Sequence, residues 1–110
     1  MNVVITPDNF DLLAQEHDIL VAYFGAQWCG PCKSFSQVFA KVAADYPDVA
    51  FAKIDVDEQP DLAQEFSVQQ VPAIMIFRNG VMVFADTGFI DVGGLTDLLK
   101  QAQALSPDQL

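Results

Sequence analysis

Residues 19–46 read ILVAYFGAQWCGPCKSFSQVFAKVAADY. The stretch from Ile19 to Phe24 is an apolar run too short for a helix of its own, which fits a central strand buried on both faces. Further on the period changes. Phe35, Val38, Phe39, Val42, Ala43 and Tyr46 fall at i, i+3, i+4, i+7, i+8 and i+11, one continuous helical face. Pro47 closes it. Between strand and helix stand Trp28-Cys29-Gly30-Pro31-Cys32, which hold the only two cysteines of the chain. Two lone thiols at this spacing can close a small ring and reopen it, the chemistry of a dithiol redox switch.

Outward from this unit, strands and helices continue to alternate. Val3-Val4-Ile5 reads as a short strand. Thr6 can cap a helix with Pro7 in its first position, where a missing N–H costs nothing, and Phe10, Leu13 and Ala14 give that helix an apolar stripe. On the other side, Val49 to Val56 is a strand ending in the polar Asp55-Val56-Asp57-Glu58-Gln59. Pro60 starts a short helix with Leu62, Ala63 and Phe66 inward. Two apolar runs, Ala73 to Phe77 and Val81 to Ala85, flank Arg78-Asn79-Gly80, and Asn-Gly in such a place signals a hairpin. Leu95, Leu98, Leu99 and Ala102 make a C-terminal amphipathic helix before a short tail at 105–110. The order is β-α-β-α-β-α-β-β-α. Strands separated by helices require parallel crossovers, and the late hairpin adds antiparallel pairing. The expected architecture is one α/β domain over residues 1–110, a central mixed five-stranded sheet with helices on both faces.

A chain of 110 residues, 52% apolar with nine Phe, has room for one real core. Five basic against fifteen acidic side chains give a net charge of −10. Such a surface repels phosphate backbones and anionic lipid, which speaks against nucleic acid and membranes as partners. The start of the chain lacks a basic segment, a long apolar stretch and a small-residue cleavage site. No apolar run approaches the ~20 residues needed to span a bilayer. The protein is therefore expected in the cytoplasm, where structural disulfides are rare and a cysteine pair is catalytic or metal-binding.

Helical periodicity separates the roles of the two thiols. Cys32 lies three residues before Phe35 and seven before Phe39, so it shares their inward face. Cys29 falls at the helix start, where unpaired N–H groups and the positive end of the dipole favour an anion. Its pKa is expected to be depressed. Cys29 is thus the expected nucleophile and the more exposed thiol. Cys32 is the sheltered resolving thiol that attacks the mixed disulfide. Gly30 permits close approach of a substrate backbone, Pro31 fixes φ early in the helix, and Trp28 offers a flat apolar surface beside the reactive sulfur.

Trp-Cys-Gly-Pro-Cys-Lys at 28–33 is accompanied by Ala52-Lys53-Ile54-Asp55-Val56-Asp57, Val71-Pro72-Ala73, Asn79-Gly80 and Thr87-Gly88. With these landmarks the chain resembles the thioredoxin family from Val3 to about Ala104. The resemblance implies the thioredoxin fold and protein-disulfide reductase activity on disulfide-containing substrate proteins. It implies that Pro72 is a cis-proline facing the cysteines, and that Val71, Pro72, Thr87 and Gly88 line a substrate groove with Trp28. No bound cofactor is expected, because the Cys29–Cys32 pair is itself the redox centre. By the same resemblance NADPH serves indirectly, through a flavoprotein thioredoxin reductase. A monomer is expected.

The chain departs from the family at three positions. A buried aspartate usually stands six residues before the first cysteine and is thought to help deprotonate the resolving thiol, together with the lysine matched by Lys53. Here that position is Tyr23. The family's tryptophan four before the cysteine is Gly25, and the helix-kinking proline after the motif is Gln37. A phenol with a pKa near ~10 cannot act as a carboxylate-like base at pH 7. Lys53 must then pair elsewhere or reach solvent, and resolution is expected to be slow relative to the first attack.

A metal centre would need four soft ligands if structural and about three if catalytic. Cys29 and Cys32 supply two, and the only histidine, His17, falls in a separate helix–loop segment, so no metal is expected. Asp55 and Asp57 read as a polar strand end, and Gly93-Gly94 as a loosened helix start. The rival to an enzyme is a thioredoxin-like binding or chaperone-type module with slow redox turnover. Tyr23 and the many Phe support it; the intact motif with Pro72 favours the enzyme.

Overall fold

The apolar run at 19–24 becomes β1 (Ile19–Gly25), every residue of which is buried. The computed structural model describes residues 5–105. In chain order it holds α1 (Pro7–Glu16), β1, α2 (Gly30–Asp45), β2 (Ala50–Asp55), α3 (Pro60–Glu65), β3 (Ala73–Arg78), β4 (Val81–Thr87) and α4 (Val92–Ala104). The sheet order is β2-β1-β3-β4. Four strands of the expected five are among the described residues. The fifth, read at Val3-Val4-Ile5, lies outside them except for Ile5, which is buried and belongs to no strand. The tail at 106–110 also lies outside them.

Period-two alternation along β1 divides the core. Ile19, Val21 and Tyr23 face α2 and α4, meeting Phe35, Phe39, Val42, Leu95 and Leu99. Leu20, Ala22 and Phe24 face α1 and α3, meeting Phe10, Ala14 and Leu62. Helices therefore cover both faces, and that is why β1 carries no charged side chain to break its run. Leu95 and Leu99 are wholly removed from solvent, each worth about 1.5–3 kcal/mol of burial.

One expectation is corrected. β1 and β2 are parallel, but β3 runs antiparallel to β1, with Phe24 opposite Ala73 and Ile19 opposite Arg78. A parallel crossover must carry the chain back along the sheet. The six residues of α3 rise only about 9 Å, whereas the six of β2 cover about 20 Å. The chain therefore starts β3 at the end of the sheet where β2 stopped. The hairpin forms as read, with Asn79 (φ 51°) and Gly80 (φ 81°) both in the left-handed region that a two-residue turn requires.

Gly93-Gly94 is also corrected. Both lie in the first turn of α4, and the Gly94 N–H donates to Asp91 Oδ1 at 2.8 Å. A Cβ at Gly94 would stand 2.8 Å from Ile90 Cγ2. The glycine allows a tight, capped start and not a loose one.

Candidate active site

The cysteines sit where β1 passes the chain to α2, at the end of the sheet where Ala73 lies opposite both Phe24 and Thr87. Cys29 is the N-cap of α2. Its extended backbone (φ −90°, ψ 113°) turns the side chain back on the helix, and Sγ accepts from the Cys32 backbone N–H at 3.1 Å. The two sulfurs are joined as a disulfide, with Cα atoms 5.2 Å apart.

Cys29 is the more exposed of the two thiols, as expected, but only at 5% against 2% for Cys32, and both are buried. The loop before β3 covers it, bringing the Val71 carbonyl oxygen to 3.7 Å from Cys29 Sγ. A disulfide sulfur has no proton to donate, so this is packing and not a hydrogen bond. In the reduced protein the Cys32 N–H and the helix start favour a Cys29 thiolate. Alkylation near neutral pH should therefore modify Cys29 first; equal or reversed labelling, read by mass spectrometry, would reject this.

The outer rim gathers the other residues named from the sequence. The Val71-Pro72 peptide is cis. The Pro72 carbonyl accepts from the Gly88 N–H at 2.8 Å, and Gly88 takes a φ of +98° that a side chain would resist. Thr87 Oγ1 donates to Gln70 Oε1 at 3.3 Å. Trp28 is 70% exposed, and its Nε1 donates to Asp57 Oδ2 at 2.8 Å. A groove of ≈ 370 Å³ runs between Trp28, Val56, Val68, Gln69, Gln70 and Val71. Phe89 adds an exposed ring next to Gly88, edge-on to Phe35. Gln70 and Phe89 were not singled out in the sequence, and Asp57 was read there only as part of a polar strand end, because nothing local marks its partner 29 residues away.

The inner side is built around Tyr23. Its ring is buried edge-on against Phe35 at 4.8 Å and against Phe39 at 5.3 Å. Its hydroxyl donates to the Cys32 carbonyl at 2.8 Å and lies 3.2 Å from Ser36 Oγ. Lys53 does both things foreseen for it: it is exposed, and Nζ donates to Ser36 Oγ at 3.1 Å. A Cβ on residue 25 would lie 2.7 Å from the Tyr23 hydroxyl, so the departures at 23 and 25 are sterically coupled. Ser36, which joins Tyr23 to Lys53, escaped the sequence reading. His17 caps the far end of α1, away from the cysteines. Among the described residues no group of three His, Cys, Asp or Glu could hold a metal ion.

Burial raises the Tyr23 pKa above its usual value, and the Ser36 hydrogen bond offsets part of this. Below pH ~10 the phenol is neutral in the folded and unfolded chain alike. Above it the unfolded chain ionises first, so this contribution to stability is lost as pH rises towards the folded-state value. Denaturant midpoints should therefore fall more steeply above pH ~10 for wild type than for Tyr23→Phe. Parallel midpoints would reject a buried neutral phenol.

The family profile described as Thioredoxin matches residues 1–101. The chain belongs to the thioredoxin family. A thioredoxin of Mycoplasmoides gallisepticum is 34% identical over 91% of this chain and 100% of its own length. A solved single-substitution mutant of thioredoxin from Halobacterium salinarum superposes with a TM-score of 0.84 at 36% identity, covering 94% of this chain and 91% of that one. A third similar chain comes from a structural study of thiol resolution in yeast mitochondrial 1-Cys peroxiredoxin via glutathione/thioredoxin systems. It shows a TM-score of 0.76 and 36% identity over 89% of each chain. Thioredoxins are protein-disulfide oxidoreductases, and this thioredoxin-family chain, with its Cys29–Cys32 disulfide, is one.

Proposed function

We propose that Cys29 is the nucleophile and Cys32 the resolving thiol of a cycle that reduces disulfides in other proteins. The observation that carries this is the cap: Cys29 Sγ receives the Cys32 N–H at the positive end of a 16-residue helix. A thiolate there is stabilised before any substrate arrives, whereas Cys32 is buried within the first turn. Attack by Cys29 gives a mixed disulfide, and attack by Cys32 on Cys29 releases the reduced product.

The substrate is an extended segment flanking a cystine, laid over Trp28, Val71, Pro72, Thr87 and Gly88, with Phe89 as an added apolar contact. Main-chain hydrogen bonds hold such a segment and apolar pockets select it. The protein works as a monomer in the cytoplasm, carrying electrons for redox homeostasis with no cofactor or metal of its own, and a flavoprotein thioredoxin reductase using NADPH restores the dithiol. The net charge of −10 supports partners other than nucleic acid or membrane, and no described helix is long and apolar enough to cross a bilayer. The test is NADPH oxidation with this chain, a thioredoxin reductase and a protein disulfide. Consumption should require all three. A peptide trapped on Cys32→Ser should shift NMR signals along the groove, and shifts confined to α4 would reject it.

A further inference from the structure

We propose that Tyr23, Ser36 and Lys53 are positioning residues for Cys32: a one-way chain of hydrogen-bond donors that tethers the first turn of α2 from inside and holds a cation in the cleft that Cys32 lines. The inference rests on the reading of Cys32 as that thiol.

The direction of the chain follows from counting protons. The Cys32 carbonyl has none, so the Tyr23 hydroxyl donates to it. That uses the only proton of the phenol, and the Ser36 hydroxyl 3.2 Å away must donate to Tyr23. The Ser36 oxygen then accepts from the Lys53 ammonium. The ammonium also lies 5.8 Å from the Tyr23 ring centroid, where the face of an aromatic ring attracts a cation. Lys53 makes no ion pair with a carboxylate among the described residues. Gly25 leaves room for the phenol hydroxyl.

These three residues come from β1, α2 and β2, and with Cys32 they line one open cleft of ≈ 910 Å³. The other charged groups facing it are Lys33 of α2, Asp55 at the end of β2 and Glu58 beyond it. Asp55 Oδ1 is engaged by the N–H groups of Asp57 and Glu58. Cys32, itself only 2% exposed, lines this cleft, which is open to water. In resolution the Cys32 thiol gives its proton to that water. Its sulfur forms a bond to Cys29 Sγ as the bond from Cys29 to the substrate sulfur breaks. The electron pair leaves on the substrate sulfur, which takes a proton from water. The cysteine pair is oxidised by two electrons and the substrate disulfide reduced by two. A nearby cation favours the thiolate, and because Lys53 is exposed its influence is screened by salt.

Single-turnover stopped flow with a peptide disulfide, recorded against pH, separates the first attack from resolution. NMR titration of Cys32 Cβ in the reduced protein follows its ionisation directly. Tyr23→Phe, which keeps the ring, and Ser36→Ala should each slow resolution about three- to tenfold near pH 7, with the first attack unchanged. Lys53→Met should move the resolution profile and the Cys32 titration to higher pH, Lys53→Arg should restore both, and high salt should narrow the difference from wild type. Tyr23→Phe combined with Lys53→Met should slow resolution less than the product of the single effects. Unchanged resolution and titration in the folded variants, fully multiplicative effects, or a defect produced instead by Asp55→Asn would overturn the proposal. A wild-type protein with no resolution phase would overturn the assignment of Cys32 beneath it.

Discussion

Cys29→Ser will abolish disulfide reduction, and Cys32→Ser will halt the protein after one attack, covalently joined to its substrate. A hydroxyl has none of the thiolate character on which exchange depends, so loss of the attacking sulfur should lower turnover on the order of 10⁴-fold or more. The fold should survive. Serine is among the strongest N-cap residues, and its oxygen can take the N–H that Cys29 Sγ now accepts. Circular dichroism should thus look native while the reductase-coupled assay reads background. In Cys32→Ser the first attack remains, but nothing displaces the substrate. Non-reducing electrophoresis should show the adduct, which a small thiol should dissolve. Turnover by folded Cys29→Ser would mean that the chemistry does not pass through this sulfur.

Tyr23→Asp, the change that restores the family's residue, will destabilise the protein by about 3–5 kcal/mol at neutral pH. The ring contacts with Phe35 and Phe39 disappear, and so does the hydrogen bond to the Cys32 carbonyl. A carboxylate is left in a position only 1% exposed, in space that a phenol used to fill. Burial raises the folded-state pKa of such a carboxyl above the unfolded value of ~3.9. A group with a raised pKa contributes its full stability below the unfolded pKa and loses it as pH rises towards the folded one. The deficit relative to wild type should therefore be smaller at pH ~4 than at pH 7. Tyr23→Phe, losing only a hydroxyl, should cost about 1 kcal/mol. Urea denaturation of the three proteins at both pH values measures all of this. Equal stability of Tyr23→Asp and wild type at pH 7 would show that the local core does not depend on the aromatic ring.

Much of the fold was legible because burial leaves a periodic trace. The all-apolar β1, the stripe on α2 and the Asn79-Gly80 turn each announce their element within a few residues. The direction of β3 did not, because it depends on how far a six-residue helix can carry the chain, a matter of length and not of pattern. The site divides along the same line. Cys29, Cys32 and Pro72 lie in compact motifs. Ser36 and Asp57 act through partners 13 to 29 residues away, and a side chain that meets another only after folding leaves no spacing to read. Cys29 was rightly placed at a helix start, but its burial depends on Val71, 42 residues on.

The close approach between Gly25 and the Tyr23 hydroxyl constrains how this sequence can change by single steps. With the phenol in place, any side chain at 25 begins 2.7 Å from its oxygen and 2.9 Å from its Cζ, so every replacement there meets a clash. Position 23, by contrast, can lose its phenol while Gly25 stays. The mutational path is ordered: a side chain can arrive at 25 only if the phenol shifts from its present place or leaves. Libraries that vary the two positions together should recover bulky residues at 25 chiefly in clones where 23 has already shrunk.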